Sequence, residues 1–246
     1  MTWQPYRAFD QDYSRYTPSD QLVWATLYER QMKYLHGHAS TAYLNALEHI
    51  GFQPQAIPRI DEVSATLEKA TGFRLTVVPE IRPNDIFMSH LANKTFTTTA
   101  WIRSIDSLDY ISEPDMFHDV YGHTPLLSEA SFAEFFHAFG LLGKKYLDHP
   151  KAIELLGRVY WFTVEFGLIA EAGDIKIYGA GLLSSHSESK HCLSTAVTHQ
   201  PFDIAEIMAR DYNNTVMQDH YFVLPHYDKL LESLPEIEKI IEMAIN

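Results

Sequence analysis

The fifteen residues from Glu113 to Leu127, EPDMFHDVYGHTPLL, constrain this chain more than any other stretch. They hold two imidazoles, three acids, a glycine and two prolines. Each His or Asp set near an apolar wall must find a partner or stay in water, and a bound cation would supply such a partner. His118 and His123 stand at i and i+5, about 140° apart on a helix of ~3.6 residues per turn. A straight α-helix therefore does not bring them to one face, and the i, i+4 histidine pair of the zincins is absent. The expectation is that His118 lies in the last turns of a short helix near 114 to 121. Gly122 would then let the chain swing out and Pro125 would keep the helix from resuming. The two rings would converge on one point from different backbone directions.

Two imidazoles leave a metal under-coordinated, so a carboxylate is needed. Glu165 is the candidate: in YWFTVEFGL, Tyr160 to Leu168, it is a single acid inside an aromatic and aliphatic run, where an unpaired carboxylate is costly. Two His and one carboxylate with open positions is the ligand set of non-heme Fe(II) oxygenases, and three-ligand zinc sites draw on the same residue types. The other acids of the run have two readings each. Asp115 is either a helix N-terminal charge or a group that orients an imidazole or a bridging water, and Asp119 either a solvated side chain or such a group. Glu113 reads as an ion-pair or capping residue.

Composition excludes several classes. With 19 Lys and Arg against 32 Asp and Glu the formal charge is −13, which argues against nucleic acid or an anionic membrane as a partner, since both need a basic face. Cys192 is the one cysteine, so there is no intrachain disulfide and no cysteine-rich zinc framework. No His and orienting acid are placed around it, and a small buried thiol is the expectation. The first twenty residues lack the basic start and apolar core of a secretory signal, and no run approaches the roughly 18 apolar residues of a membrane span. The cytoplasm is the expected compartment.

Residues 1 to 17, with Trp3, Tyr6, Phe9, Tyr13 and Tyr16, suggest an irregular arm lying on the body of a single domain over 1–246. Thr17, Pro18 and Asp20 start a helix with a capping box, ending near Gly37. Helices from about Ser40 to Gly51 and Asp61 to Gly72 close on glycines suited to a left-handed cap. Strands are expected at 74–79, 96–103, 175–178 and 221–224, the third followed by a bend at Gly179 and Gly181. Helices are expected near 84–91, 129–147, 151–170, 187–196, 203–210 and 226–244. On the 151–170 helix Arg158, Trp161, Phe162, Glu165 and Leu168 would share a face. The fold class is mainly α with short β-strands, α+β.

The runs EPDMFHDVYGHTPLL, YWFTVEFGL and, at Tyr178 to Ser185, YGAGLLSS resemble the pterin-dependent aromatic amino acid hydroxylases, in particular the bacterial phenylalanine 4-hydroxylases. The three motifs occur in the family's order, and the likeness runs from about Arg82 to Ser185 and more weakly beyond. It implies Fe(II) held by His118, His123 and Glu165, with a tetrahydropterin supplying two electrons and O2 the oxygen atom. It also implies that Arg103 clamps the substrate carboxylate bidentately, and that Pro114, Trp161 and Phe166 line the slot for the ring. Ser184 would steady a ligand histidine and Gly181 would allow a close approach. Phe87 would stack on the pterin, with Asp119 and Tyr160 near it. Phenylalanine to tyrosine is the reaction implied, with tryptophan 5-hydroxylation and phenylalanine 3-hydroxylation as alternatives in the family. A zinc hydrolase on the same three ligands, with Asp119 as base, and a helical binding protein with a structural metal are alternatives outside it. The pattern departs at Ile111 Ser112, where animal members carry a short polar pair, and at His186 Ser187, where the family continues with an aromatic residue and Gly. The regulatory domain and tetramerisation helix of the animal enzymes have no counterpart here, so a monomer is expected.

Overall fold

Thr17 opens the first helix as its side chain dictates. Its hydroxyl accepts from the Asp20 N–H at 3.2 Å while the Asp20 carboxylate accepts from the Thr17 N–H at 2.8 Å, a reciprocal pairing of two otherwise orphaned donors. The structure, a computed structural model, describes residues 7–109 and 111–245. Helix α1 (Pro18–His38) buries Val23, Trp24, Leu27, Gln31 and Leu35, and Trp24 meets Phe117 edge-on at 5.3 Å, which sets α1 against the histidine-bearing run. Helices α2 (Thr41–Ile50) and α3 (Ile60–Thr71) end on Gly51 (φ 76°) and Gly72 (φ 82°), left-handed caps that a side chain would strain.

Next come β1 (Arg74–Val77), α4 (Asn84–Leu91) and β2 (Thr95–Thr98), the two strands pairing in parallel. The helices α5 (Thr124–Leu127), α6 (Ala130–Lys145) and α7 (Pro150–Tyr160) form the middle of the chain. Phe132, Phe135, Phe136 and Phe139 of α6 make the aromatic centre of the core. Strands β3 (Leu168–Glu171) and β4 (Asp174–Ile177) form a hairpin through Ala172 and Gly173. Both turn residues have positive φ, 52° and 89°, as a two-residue turn matching the strand twist requires. Helices α8 (Ala180–Ser184) and α9 (His186–His191) lead to β5 (Thr198–Pro201), α10 (Ile204–Ala209), β6 (His220–Leu224), α11 (Asp228–Glu232) and α12 (Leu234–Ile245). The second sheet has the order β4-β3-β6-β5, with β6 parallel to both of its neighbours. The class is α+β, mainly helical, and one hydrophobic core runs from α1 to α12. Among the described residues no helix is long and apolar enough to cross a membrane.

Several expected elements are corrected. The strand at 96–103 keeps its ladder only to Thr98. Beyond it the Trp101 carbonyl accepts from the Met116 N–H at 2.9 Å, so this backbone is given to the histidine-bearing run. The helix expected over 151–170 stops at Glu165, and Leu168 begins β3. A short apolar run such as Leu168 to Ala170 carries no period that separates helix from strand. Strand β5 went unforeseen because Pro201 argues against a strand interior, and it lies at the sheet edge. The bend at Gly179 and Gly181 is instead the start of α8, the 187–196 helix stops at His191, and the 226–244 helix is broken at Ser233. In the arm, Trp3 and Tyr6 lie outside the described residues. Tyr13 and Tyr16 dock through hydroxyl bonds to the Ile57 carbonyl at 2.8 Å and the Ala100 carbonyl at 2.5 Å, whereas Phe9 is 75% exposed.

Candidate metal centre

The histidines come together through a change of helix type. From Phe117 to His123 the backbone is a π-helix that passes without a break into α5. A π-turn closes from i to i+5, so the spacing that separates two side chains on an α-helix stacks them here. The expected swing-out at Gly122 does not occur and Pro125 does not stop the helix; the Tyr121 carbonyl, which a proline four residues on cannot serve, accepts instead from the Tyr43 hydroxyl at 2.9 Å. Gly122 has another use: a Cβ there would lie 2.9 Å from the Ala180 carbonyl, so its absence lets α8 lie across the π-helix. The same device recurs on the other wall. Trp161–Glu165 is a second π-helix, closed by the Phe166 N–H on the Trp161 carbonyl at 2.9 Å, and a Cβ at Gly179 would collide with the Glu165 carbonyl.

These close approaches aim three donors at one place. His118 Nε2 lies 3.2 Å from His123 Nε2. Glu165 Oε1 is 3.0 Å from His123 Nε2 and Oε2 is 3.6 Å from His118 Nε2, and ligand atoms of all three lie within 4.8 Å of one another. Ser184 orients one ring. Its hydroxyl donates to the Ala180 carbonyl at 2.8 Å and so accepts from His118 Nδ1–H at 2.9 Å, which leaves the lone pair on Nε2, facing the other two ligands. His123 is steadied by rings instead, Phe96 at 5.0 Å and Tyr160 at 6.2 Å.

The protonation states suit a cation. Burial, with the neighbouring His123 and opposed by Glu165, lowers His118 to about 4. Burial would raise the Glu165 carboxyl, but His123, His118 and the Gly181 N–H hold it down at about 2. At neutral pH a bare imidazole nitrogen and a carboxylate therefore share the site with His123, a donor set that fits a divalent transition ion. Gly181 thus serves Glu165 directly, and its Cα faces Phe166, whose Cζ a Cβ would meet at 3.1 Å.

Arg103 is buried, and its guanidinium grips Asp115: Nε to Oδ2 and NH2 to Oδ1, both at 2.8 Å. Asp115 also accepts from the backbone N–H of Arg103 at 2.9 Å and of His118 at 3.1 Å. Burial would raise its carboxyl, but the guanidinium and these N–H groups hold it below the usual range. The expected bidentate clamp is thus engaged side-on by Asp115. At the end-on edge of the guanidinium NH1 makes one longer bond, to the Leu108 carbonyl at 3.4 Å. Pro114, just ahead of Asp115, is half-buried. Asp119 is buried rather than solvated. Its Oδ2 accepts from the N–H and hydroxyl of Thr99 at 2.7 and 2.9 Å, and burial raises it to about 7. Glu113 pairs with Arg7 at the surface.

Trp161 packs on Phe166 at 4.5 Å and on Tyr212 at 4.5 Å, a wall next to Glu165 in sequence. Phe87 meets Tyr160 edge-on at 5.6 Å, which puts it one ring away from His123. The expected shared face on the helix carrying Glu165 is not formed. Arg158, still on α7, turns to Glu154 and the Met208 carbonyl, at 2.6 and 2.8 Å, while the π-turn shifts the phase of the residues after Tyr160 and Leu168 leaves the helix for β3. Three residues with clear contacts here were not assigned them from sequence: Asp115 as the partner of Arg103, Thr99 as the anchor of Asp119, and Gln218 on the Trp161 indole. A buried arginine demands a counter-charge, and that signal points to Asp115; nothing local points to Gln218. Cys192 is buried with its thiol pushed up by burial, as expected of an inert thiol.

The sequence pattern of the biopterin-dependent aromatic amino acid hydroxylases matches residues 7–245, and the chain belongs to that family. It is 40% identical over 234 residues to the phenylalanine-4-hydroxylase of Ralstonia nicotianae, covering 95% of this chain and 74% of that protein. It is 41% identical over 224 residues to the phenylalanine-4-hydroxylase of Chromobacterium violaceum, covering 91% and 75%. The crystal structure of the latter enzyme with bound iron(III) and oxidised 7,8-dihydrobiopterin superposes with a TM-score of 0.90 at 39% identity, covering 95% of this chain and 86% of that one.

Proposed function

We propose that this protein is a phenylalanine 4-monooxygenase, which uses iron(II), a tetrahydropterin and O2 to hydroxylate the ring of L-phenylalanine to L-tyrosine. The observation that carries the reading is the convergence of His118, His123 and Glu165 from two π-helices, with the Nδ1–H of one imidazole already committed to Ser184. In this reading those three side chains hold the iron. When bound, the iron and the pterin supply the electrons that activate O2 for attack on an unactivated ring, chemistry that d¹⁰ zinc lacks.

The protein's own work is positioning. The end-on edge of Arg103 takes the amino acid carboxylate, with Asp115 preventing the guanidinium from turning. Trp161, Phe166 and Pro114 hold the ring by its faces and leave its edge toward the ligands. Phe87 and Tyr160 offer the π surface for the pterin on the His123 side, and Asp119 lies beside them. The enzyme works as a monomer in the cytoplasm, where a lone buried thiol stays reduced; sedimentation tests the first point and fractionation the second.

The deciding experiment loads the metal-free protein anaerobically with Fe(II) or Zn(II). O2 consumption that requires both tetrahydropterin and phenylalanine, with tyrosine as product, supports the reading. Zinc-dependent hydrolysis or an inert metal would reject it. Turnover of phenylalanine and tryptophan with product identification fixes the ring and position, since small pocket changes of about 1 to 3 kcal/mol separate these substrates.

A further inference from the structure

The indole of Trp161 is packed on its faces by Tyr212, stacked at 14°, and by Phe166, tilted at 36°. Face packing holds a ring in its plane but resists rotation within that plane only weakly. A directional bond supplies the missing constraint: Trp161 Nε1–H donates to Gln218 Oε1 at 3.1 Å. Gln218 is 7% exposed and has no freedom of its own. Its Nε2 donates to the carbonyls of Asn213 at 2.8 Å and Val216 at 3.1 Å, which fixes the amide so that oxygen faces the indole. Its main-chain carbonyl accepts from the Tyr221 hydroxyl and from His191 Nε2, both at 3.0 Å. The segment it anchors, Asp211 to Asp219, keeps Val216 and Met217 exposed, so core packing there does little to hold it.

We propose that Gln218 is a positioning residue for the aromatic substrate: through the Trp161 N–H it sets the in-plane angle of the indole, and with it the affinity of the slot for the amino acid ring. The proposal rests on the reading of Trp161 as a wall of that slot. Gln218→Met keeps the side-chain length and removes the acceptor. In the iron enzyme the KM for phenylalanine is expected to rise about two- to tenfold, bounded above by the net value of one hydrogen bond, with kcat changed by less than about twofold. In zinc-loaded, diamagnetic protein the Trp161 indole N–H resonance, assigned by its loss in Trp161→Phe, should move upfield and exchange faster with solvent. On a Trp161→Phe background Gln218→Met should add no further change in KM.

An unmoved indole resonance, additive effects on KM, or a lowered melting temperature with unchanged KM would each overturn the proposal. Addition of phenylalanine to the wild-type protein separates the two levels. If the Trp161 resonance does not respond to the amino acid, Trp161 is not a wall and the proposal falls with that assignment. If it responds while Gln218→Met leaves KM unchanged, the assignment stands and the proposal alone is wrong. If Gln218→Met fails to fold, Gln218→Asn, which keeps the amide but withdraws it by one methylene, carries the same comparisons.

Discussion

Asp115→Asn is the substitution whose consequences the geometry sets out most fully. Asp115 has no exposed surface and Arg103 is 5% exposed. Each carboxylate oxygen accepts two donors: Oδ1 from Arg103 NH2 and the His118 N–H, Oδ2 from Arg103 Nε and the Arg103 N–H. An asparagine keeps one acceptor oxygen, and in either orientation its NH2 confronts two donors. The guanidinium is then a buried cation without a counter-charge. Breaking a buried pair in this way destabilises by about 3 to 5 kcal/mol, and at about 2 to 4 °C per kcal/mol for a chain of this size the melting temperature should fall by roughly 6 to 20 °C. Calorimetry of the metal-free protein measures this without reference to activity. Arg103→Met added to Asp115→Asn removes the stranded charge and should recover part of the loss, giving a coupling energy above about 1 kcal/mol. A fall of less than about 2 °C, or strict additivity, would refute the claim that these two buried charges depend on each other.

Ser184→Ala removes the acceptor for His118 Nδ1–H and should weaken Fe(II) binding about 10- to 100-fold, read by competition with a coloured chelator; unchanged affinity would free the imidazole from any dependence on Ser184. Glu165→Gln should lose iron and turnover together while circular dichroism stays native, and retained activity would remove Glu165 from the site. Tyr16, its phenol pushed up by burial to about 12 from an ordinary 10, contributes stability that is fully present below pH 10 and lost as pH rises toward 12. The wild-type protein should therefore lose stability more steeply over that interval than Tyr16→Phe, and equal slopes in alkaline denaturation would reject the linkage.

Local chemistry was legible where a short-range rule decides the outcome. The Thr17 box, Pro18, and the glycine stops at Gly51 and Gly72 placed the first three helices, because caps depend on residues within one turn. Leu168 to Glu171 failed the same test, since its pairing partners Ile177 and Val223 lie elsewhere in the chain. The ligand residues were legible as types: two imidazoles in a rigid run and one acid among aromatic residues. The Arg103–Asp115 grip is not legible in the sequence, because the two residues meet only where the non-strand segment after Thr98 folds against the histidine-bearing run, through the Met116 N–H on the Trp101 carbonyl.

By itself the sequence determined which donors exist and how strongly each resists burial without a partner. The order of the motifs carried the family, and a lone acid in an apolar helix carried the demand for a partner. Only the tertiary structure decided that an i, i+5 spacing is a convergent one. An α-helix is the better local solution for residues 117–123 and 161–165, and the wider π-turns persist because α8 lies across both, let in by Gly122 and Gly179. Packing between segments distant in the chain thus overrides the local period, and the meeting of His118, His123 and Glu165 is its product.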